Sequence, residues 1–446
     1  LSNLYWITIS LTFDPNFNFL IPIALILIPS FLALFYGLAT FAFYKFRFKK
    51  LLSSFFLFSL LFGLMEFLRG NLFTGFPWNL FVYSLSENLS FISFISIVGT
   101  YSLNLLIISF FSAPAIYILR KSKVEVFIFI LILLTPILFL SYGKSYKQNF
   151  LNKEVVKNSY LIRIIGSNIG LDRFYNDDQT ERTINELINL SSPEPNKRTF
   201  FLWPEGIIPN TYLDELKFYK HLFNENFNEN HLIGLGISSR SLENEKYKYF
   251  NSLSIFDNEL NMLEKYNKVN LVPFGEFLPF ENWLNRIGLK IITSNISSFA
   301  KGDERKILNV KNNLGEFKFL PLICYEIIYT GNLTKTNDYD FIINISEDGW
   351  FGSSIGPKQH FVHSIFRAIE TGKYVIRSAN NGMTAIINPL GEIEKKIDYK
   401  KNGFIDFEKR RDFDPTIFSI YGNKVFILLI LLYILLIFLF NRIKNE

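Results

Sequence analysis

Long stretches without a charged residue constrain this chain more than any other feature of its sequence. Residues 17–44 run for 28 positions, and residues 89–119 for 31 positions, with no Asp, Glu, Lys or Arg. Because an α-helix rises ~1.5 Å per residue, each stretch can cross the ~30 Å hydrocarbon core of a bilayer. We therefore predict a membrane-spanning helix in each of them.

Three shorter apolar runs, at residues 51–65, 126–142 and 425–440, extend the pattern. We predict spans there too, although a buried core helix remains the alternative, mainly for 51–65 and 126–142. The composition agrees with a membrane protein, since 49% of the residues are hydrophobic, only 19% are charged and 50 are Phe. A net charge of +6 over 446 residues is small and does not indicate a nucleic-acid partner.

Basic residues near the spans predict the orientation, because short loops rich in Lys and Arg stay cytoplasmic. Clusters at 45–50, 120–123 and 442–444 all fall inside under one assignment of the five spans. That assignment gives membrane helices in 1–142, an outer domain in 143–424 and a C-terminal span with a cytoplasmic tail in 425–446. The chain begins with Leu1, and residues 1–16 resemble the end of an external loop. We therefore expect further spans upstream.

The outer part alternates short apolar runs with polar, helix-like stretches, which is typical of a mixed α/β domain with packed sheets. The predicted strands lie at 160–166, 199–206, 231–238, 317–326, 339–346 and 383–389, and the predicted helices at 177–190 and 358–373. Side chains that perform chemistry in such domains usually lie at strand ends.

Cys324 is the only cysteine, so neither an internal disulfide nor a thiolate metal cluster is possible within the chain. It follows the apolar run FLPLI, and a strand-end thiol is a candidate nucleophile; an inert buried cysteine is the alternative. Glu205 also follows an apolar run and is a candidate general base. Lys268 could stabilise an oxyanion, with Glu276 eight residues further on; the alternatives are an ordinary loop glutamate and a solvated lysine.

His360 and His363 stand three residues apart on a predicted helix, a spacing compatible with metal ligation. No clear third ligand accompanies them, and we predict no metal site. The sequence also has no Gly-rich phosphate loop, no GxSxG elbow and no HExxH motif, so it does not support phosphoryl transfer, serine hydrolysis or metalloprotease chemistry.

Several motifs in order resemble the apolipoprotein N-acyltransferase family, membrane enzymes of the nitrilase superfamily. The matching segments are Trp203-Pro204-Glu205, Tyr266-Asn267-Lys268, Leu271 to Glu276, Cys324-Tyr325-Glu326, Asp348 to Gly352, Gly356 to His360, Arg367 to Glu370, Asn380-Asn381-Gly382, Arg69-Gly70 and Thr74 to Trp78. The resemblance implies a helical membrane bundle joined to an α-β-β-α sandwich whose active site faces the bilayer. One departure lies in Gly166 to Ile169, where the family usually has Gln.

The resemblance also implies the roles of single residues. Glu205 would be the general base, Cys324 the acyl-accepting nucleophile and Lys268 the cation that stabilises the tetrahedral intermediate. Glu276, Tyr325 and Glu326 would support them. Trp203, and Tyr175 in place of a family tryptophan, would contact substrate.

These roles imply an N-acyltransferase without a cofactor. A Cys324 thioester would carry a fatty acyl chain from a phospholipid, phosphatidylethanolamine by resemblance, to the α-amine of a diacylglyceryl-cysteine at an apolipoprotein N-terminus. The location would be the bacterial inner membrane, with the catalytic domain in the periplasm. Two rivals remain open: a membrane-tethered nitrilase-type amidase that uses water as acceptor, and a non-enzymatic scaffold or transport protein. Residues 277–300 are either a lid over the site or a packed connection.

Overall fold

The computed structural model describes residues 3–175, 179–243, 245–279, 298–312, 314–331 and 333–442. Of the segment 277–300, predicted as a lid or a packed connection, residues 280–297 lie outside the described residues, as does the end of the third basic cluster.

Five helical stretches in the described part of the chain are long and apolar enough to cross a membrane, and they coincide with the five predicted spans. These stretches are Pro15–Phe46, Leu51–Asn71, Ile95–Leu119, Lys123–Leu151 and Lys424–Arg442. The α-helices of the N-terminal part are α1 (Ile21–Phe46), α2 (Leu51–Asn71), α3 (Leu89–Ile92), α4 (Ile95–Ser112), α5 (Pro114–Leu119) and α6 (Lys123–Leu151).

The two spans with a core-helix alternative differ in their surroundings. On α6 the side chains of Phe127, Ile137 and Leu138 are exposed, as expected of a helix that faces lipid and not of a core helix. Helix α2 is more buried, but its neighbours include the other spans α1 and α4. Helix α6 also continues past the predicted domain boundary at 142–143 as far as Leu151.

The run 89–119 is not one continuous helix, which corrects the prediction. It is divided into α3, α4 and α5, and Gly99 near the start of α4 has a φ of 78°. A Cβ at Gly99 would overlap the ring of Phe418, so the chain needs glycine here both for its conformation and for this close packing. Pro114 begins α5, where the missing N–H costs nothing.

The remaining α-helices in the described ranges are α7 (Thr180–Ser191), α8 (Lys220–Asn226), α9 (Gly356–Thr371), α10 (Ile417–Tyr421) and α11 (Lys424–Arg442). The strands are β1 (Val155–Gly166), β2 (Thr199–Leu202), β3 (His231–Glu243), β4 (Lys246–Phe256), β5 (Met262–Asn267), β6 (Leu308–Asn312), β7 (Gly315–Ile323), β8 (Phe341–Glu347), β9 (Tyr374–Asn380), β10 (Thr384–Ile387), β11 (Ile393–Ile397) and β12 (Gly403–Arg411).

Two six-stranded sheets form a four-layer sandwich. The first sheet has the order β12-β1-β2-β3-β4-β5 and the second β11-β10-β9-β8-β7-β6. Side chains such as Phe200 and Phe317 meet between the sheets, with ring centroids 5.2 Å apart. Helices α7 and α8 cover the outer face of the first sheet, and α9 packs against β9 and β10 of the second. The α-β-β-α architecture predicted from the resemblance is confirmed.

The strand directions decide where a site can form. Strands β1, β2 and β3 are parallel, and so are β7, β8 and β9. Strand β5 runs in the same direction as β3 because both are antiparallel to β4. Carboxyl ends of parallel strands share one edge of a sheet, so residues directly after β2 and β5 lie on one edge of the first sheet, and residues after β7 and β8 on one edge of the second.

A buried ion pair on α9 joins the sandwich to the membrane helix α4. Arg367 and Glu370 lie 2.7 Å apart, and both are almost fully buried. Arg367 donates to the carbonyl of Tyr329 at 2.7 Å and to the hydroxyl of Thr100 at 3.0 Å. Glu370 accepts a hydrogen bond from the backbone N–H of Thr100 at 2.8 Å. Thr100 directly follows the Gly99 kink, so the kink is fixed to the sandwich.

Candidate active site

Three strand ends bring the predicted catalytic residues together. Glu205 lies three residues after β2, Lys268 follows β5 directly, and Cys324 follows β7 directly. The side chains are buried, with exposed fractions of 6%, 1% and 8%. The sandwich therefore supplies Glu205 and Lys268 from the first sheet and Cys324 from the second.

Lys268 lies between two carboxylates. Its Nζ donates to Oε1 of Glu205 at 3.2 Å and to Oε1 of Glu276 at 2.9 Å. Burial alone would lower the pKa of Lys268, but the charges of Glu205 and Glu276 outweigh it and raise this pKa well above its ordinary value. Lys268 is therefore an ammonium at neutral pH, and two of its three protons are committed to the carboxylates.

Asn251 on β4 holds the same two carboxylates. Its Nδ2 donates to Oε1 of Glu205 at 2.7 Å and to Oε1 of Glu276 at 2.8 Å. The backbone carbonyl of Asn251 accepts a hydrogen bond from the backbone N–H of Lys268 at 2.8 Å. Asn251 thus fixes the distance between the two carboxylates. It also positions the backbone of Lys268, whose side chain lies between them.

Cys324 is presented in a strained backbone conformation. Its φ is 48°, in the left-handed region, at the junction between β7 and the 3-10 helix Cys324–Ile328. Burial raises the pKa of its thiol well above the ordinary value, and Glu205 and Asp348 raise it further, against the opposing effects of Lys268 and of a hydrogen bond with Ser346. The resting group is therefore a thiol, and a nucleophilic attack needs a base to take its proton.

Glu326 connects the strand end that carries Lys268 to the turn that carries Cys324. It is fully buried, and the N–H of Ile323 donates to its Oε2 at 2.8 Å. Its Oε1 accepts from Val269 N–H at 2.9 Å, Asn270 N–H at 3.0 Å, the Tyr266 hydroxyl at 2.8 Å and the Arg305 guanidinium at 3.3 Å. One carboxylate thereby sets the position of the cation relative to the nucleophile.

A second buried network lies on the nucleophile side. Asp348 accepts from the Ser346 hydroxyl at 2.7 Å and from Arg377 Nη2 at 2.8 Å. Its Oδ1 also lies 2.9 Å from Nδ1 of His360, whose Nε2 is 3.2 Å from the Cys324 carbonyl. Burial opposes the charge of Asp348, but Arg377 and His360 outweigh it and hold its pKa well below the usual range. Burial and Arg377 lower the pKa of His360, so its imidazole is neutral at neutral pH.

The second oxygen of Glu205 is held by the other sheet. The backbone N–H of Glu347, the last residue of β8, donates to Oε2 of Glu205 at 2.9 Å. The side chain of Glu347 is fixed in turn by Arg173 at 2.6 Å and Asn380 at 2.7 Å. This backbone bond orients the base across the gap between the sheets.

The membrane half contacts the nucleophile turn. The hydroxyl of Tyr325 donates to the carbonyl of Gly75, in the loop after α2, at 3.1 Å. Trp78 of the same loop stacks on His360 with ring centroids 5.4 Å apart. The turn that carries Cys324 is therefore packed directly against the membrane bundle.

The structure does not bring the two predicted substrate-contact residues to this cluster. Trp203 is fully buried, donates to Ser191 at 2.9 Å and packs against Phe223, because it follows the side of β2 that faces helices α7 and α8. Its side chain belongs to the core behind the first sheet, and a contact of Trp203 with substrate stays a prediction. Tyr175 is 60% exposed and adjoins residues outside the described ranges. Its substrate contact stays a prediction.

Residue-by-residue reasoning missed Asn251 and Ser346, and gave no role to Asp348. Asn251 could have been noticed as an amide within the apolar part of a strand. Asp348 and His360 stood in matched motifs, and His360 was interpreted only as a possible metal ligand. The described residues contain no group of three or more His, Cys, Asp or Glu that could hold a metal ion.

Two family models and several curated proteins match this chain. Residues 169–408 match the family model for carbon-nitrogen hydrolases, and residues 1–113 match that for the N-terminal domain of apolipoprotein N-acyltransferases. An apolipoprotein N-acyltransferase of Rickettsia prowazekii is 31% identical over 100% of this chain and 88% of its own length. Those of Rhodopseudomonas palustris and Rhizobium leguminosarum are 30% identical over 98% and 91% of this chain and 83% and 77% of their own lengths.

Among solved structures, the Saccharomyces cerevisiae Nit3 protein of the nitrilase superfamily is similar over 56% of this chain and 89% of its own. Its sequence identity is 16% and its TM-score 0.36. The assignment to a family depends on the sequence matches.

Proposed function

The chain belongs to the apolipoprotein N-acyltransferase family, and on that premise we propose that Cys324 carries the acyl chain while Glu205 and Lys268 move the proton and stabilise the charge. The protein is a membrane-bound acyltransferase that acts on lipoproteins and membrane lipids. The proposal concerns how its residues perform the transfer and which lipid gives the acyl group.

In the first step, Glu205 takes the thiol proton of Cys324 as the sulfur attacks an ester carbonyl of a phospholipid. The oxyanion that forms is stabilised by Lys268, whose third proton is not used by the two carboxylates. Collapse of this intermediate breaks the ester C–O bond, and Glu205 returns the proton to the departing alkoxide. The products are a lysophospholipid and a thioester on Cys324.

In the second step, the free α-amine of a diacylglyceryl-cysteine attacks the thioester. Glu205 takes a proton from the amine, and Lys268 again stabilises the oxyanion. The C–S bond breaks, an amide forms, and the thiolate regains a proton from Glu205. No net proton is gained or lost, so the base is ready for another cycle.

The observation that carries the proposal is the placement of a buried ammonium between two carboxylates beside a buried, protonated thiol. A thiol with a raised pKa is a poor nucleophile until a base removes its proton. Glu205 is the carboxylate whose charge acts most strongly on that thiol. The arrangement supports attack by a thiol that a base deprotonates. A purely structural cysteine would not need these charged groups beside it.

We extend the proposal to the partners and the location. The acyl donor is phosphatidylethanolamine, the acceptor is a diacylglyceryl apolipoprotein, and residues 143–424 form the catalytic domain on the periplasmic side of the inner membrane. A site beside the bilayer would keep water away from the thioester and slow its hydrolysis.

Intact-mass analysis of the purified full chain tests the mechanism. Incubation with phosphatidylethanolamine and no acceptor should add one acyl chain to Cys324, and the adduct should be absent from Cys324→Ser and Glu205→Ala. Addition of a diacylglyceryl peptide should then remove the adduct and give an N-acylated peptide. A free fatty acid without an acylated peptide would instead favour the amidase alternative, and an unmodified wild-type protein would contradict the thioester mechanism.

A further inference from the structure

A cavity of about 860 Å³ lies where the catalytic domain meets the start of the last membrane helix. We call it the membrane-edge cavity; its wall includes Val269, Asn270, Arg305, Lys335, Tyr421 and Lys424. Val269 and Asn270 directly follow Lys268 in the chain, and Lys424 is the first residue of α11. The cavity thus extends from the strand end that carries Lys268 to the start of the last predicted span.

The charges of this wall are mostly positive. Arg305, Lys335 and Lys424 line the cavity together with one carboxylate, Glu304. Lys335 pairs with Glu304 at 3.5 Å, but both side chains are largely exposed, so this pair contributes little and can open. Lys424 has no ion pair within the described ranges. At least one cation is therefore available for an anionic group.

Arg305 forms the inner end of the cavity. Its guanidinium donates to Asn270 Oδ1 at 2.5 Å and to Glu326 Oε1 at 3.3 Å, so it is held in place by the residues that position Lys268. Its Nε is buried and has no hydrogen-bond partner among the described residues. An occupant of the cavity would thus lie against the network that supports the reaction.

The surroundings indicate a lipid as occupant. Ile417, Ile420 and Tyr421 of α10 are exposed apolar or aromatic side chains, and they lie immediately before the α11 span. Tyrosine and lysine at the end of a span typically lie at the headgroup level, where each lysine favours an anionic lipid group. A soluble anion would use the cations but would gain nothing from the apolar rim.

We propose that the membrane-edge cavity binds the phosphodiester headgroup of the donor glycerophospholipid, with Lys424 and Lys335 contacting the phosphate and Glu304 able to accept from a headgroup amine. This inference depends on the proposed function, because it names the place where the acyl donor of the Cys324 reaction is held. The two lysines act on donor binding and take no part in proton transfer.

Formation of the Cys324 thioester, measured by intact mass against donor concentration in mixed micelles, tests the inference. Two donors are compared: phosphatidylethanolamine, and diacylglycerol, which has the ester but no phosphodiester. In Lys335→Gln/Lys424→Gln the apparent KM for phosphatidylethanolamine should rise about tenfold with an unchanged maximal rate. The KM for diacylglycerol should stay the same.

Lys121→Gln is the matched control, because Lys121 is also exposed near the end of a span but lies between α5 and α6 and does not line this cavity. It should leave both donors unaffected. An unchanged KM in the double variant, or an equal rise for both donors, would overturn the headgroup site. The headgroup site would also be overturned if inorganic phosphate inhibited the wild type but not the double variant, while the two proteins had the same KM for phosphatidylethanolamine. Absence of the thioester from the wild-type protein with either donor would instead refute the mechanism itself.

Discussion

The two halves of the active site are held by different means. The half from the first sheet contains three charged side chains, because Lys268 forms ion pairs with Glu205 and Glu276. Asn251 donates hydrogen bonds to both carboxylates. The half from the second sheet presents a neutral thiol by means of a strained backbone at Cys324.

The two halves should therefore respond differently to substitution. A change in the first half alters the charges that drive proton transfer and also leaves a buried charge without its partner. A change behind Cys324 alters the orientation and the pKa of the thiol but leaves the base and the cation in place. The following experiments test this separation, from the largest expected effect to the smallest.

Replacement of the base should cause the largest loss. In Glu205→Gln the amide still fits between Asn251 and Lys268, but it cannot take a proton from the thiol or from the amine. We expect acyl transfer to fall about 10³-fold, measured as N-acylated peptide per unit time. A loss of less than tenfold in a folded protein would assign the base to another residue.

Replacement of the cation should lower both activity and stability. Lys268→Met removes the charge that stabilises the oxyanion and should cost about 10²-fold in rate. It also leaves Glu205 and Glu276 as buried like charges, which should destabilise the protein by about 3 kcal/mol. Thermal unfolding in detergent measures the second effect, and Lys311→Met is the control, because the Lys311 side chain on β6 is 71% exposed.

The contribution of Lys268 to stability also has a predicted pH dependence. Its pKa is raised on folding, so its contribution is complete below the ordinary lysine pKa of ~10.4 and is lost only as the pH rises through the higher folded value. The difference in unfolding temperature between wild type and Lys268→Met should therefore stay constant as the pH rises from 7 to about 10, once the titration of the two carboxylates is complete. A difference that shrinks through neutral pH would show that the ammonium is lost there.

The rate at which iodoacetamide alkylates Cys324 should change in opposite directions when a residue of the first half or of the second half is replaced. Glu205 raises the thiol pKa and Ser346 lowers it through a hydrogen bond. At a fixed pH near 8, iodoacetamide should react severalfold faster with Glu205→Gln and more slowly with Ser346→Ala than with wild type, since only the thiolate reacts. In the wild type the rate should rise with pH through a value above the ordinary thiol pKa of ~8.5. Changes of the same direction in both variants would contradict the separation.

Trp203 should give the smallest effect on activity. Trp203→Phe removes the hydrogen bond to Ser191 within the core behind the first sheet, and we expect a loss of about 1 kcal/mol in stability. The rate of acyl transfer and the donor KM should stay within about twofold, because most buried substitutions away from a site act on stability alone. A large rise in donor KM without loss of stability would restore the substrate contact predicted from the sequence.

Much of the fold was predictable because it depends on local patterns. The five spans and the strands at β1, β2, β3, β7, β8 and β10 are apolar runs long enough to be recognised. Strands β11 and β12 lie at sheet edges and carry charged residues such as Lys395 and Lys409, so they show no such pattern. The kink at Gly99 was missed because a run of apolar residues gives no indication of φ.

The site was only partly predictable for a similar reason. Glu205 and Cys324 each follow an apolar run, so the chain itself marks them, whereas Lys268 follows the polar strand Met262–Asn267 and was recognised from the motif around it. Asn251 acts through carboxylates that lie 46 and 25 residues away in the chain, and only the pairing of the strands brings them together. Trp203 lies two residues before Glu205, but its side chain packs in the core with Phe223, and the order of residues in the chain does not indicate this placement.

Arg367 forms hydrogen bonds to Thr100 in a membrane helix and to Tyr329 at the end of the turn that carries Cys324. The thickness of the surrounding bilayer should therefore affect the position of this turn. Lipids with shorter or longer chains change the tilt of a spanning helix to match its apolar length. Because Thr100 follows the kink in α4 and Arg367 binds both Thr100 and the carbonyl of Tyr329, we expect a change in tilt to act on the chain five residues from the thiol. The catalytic rate should therefore vary with the chain length of the host membrane even when the donor lipid is kept the same.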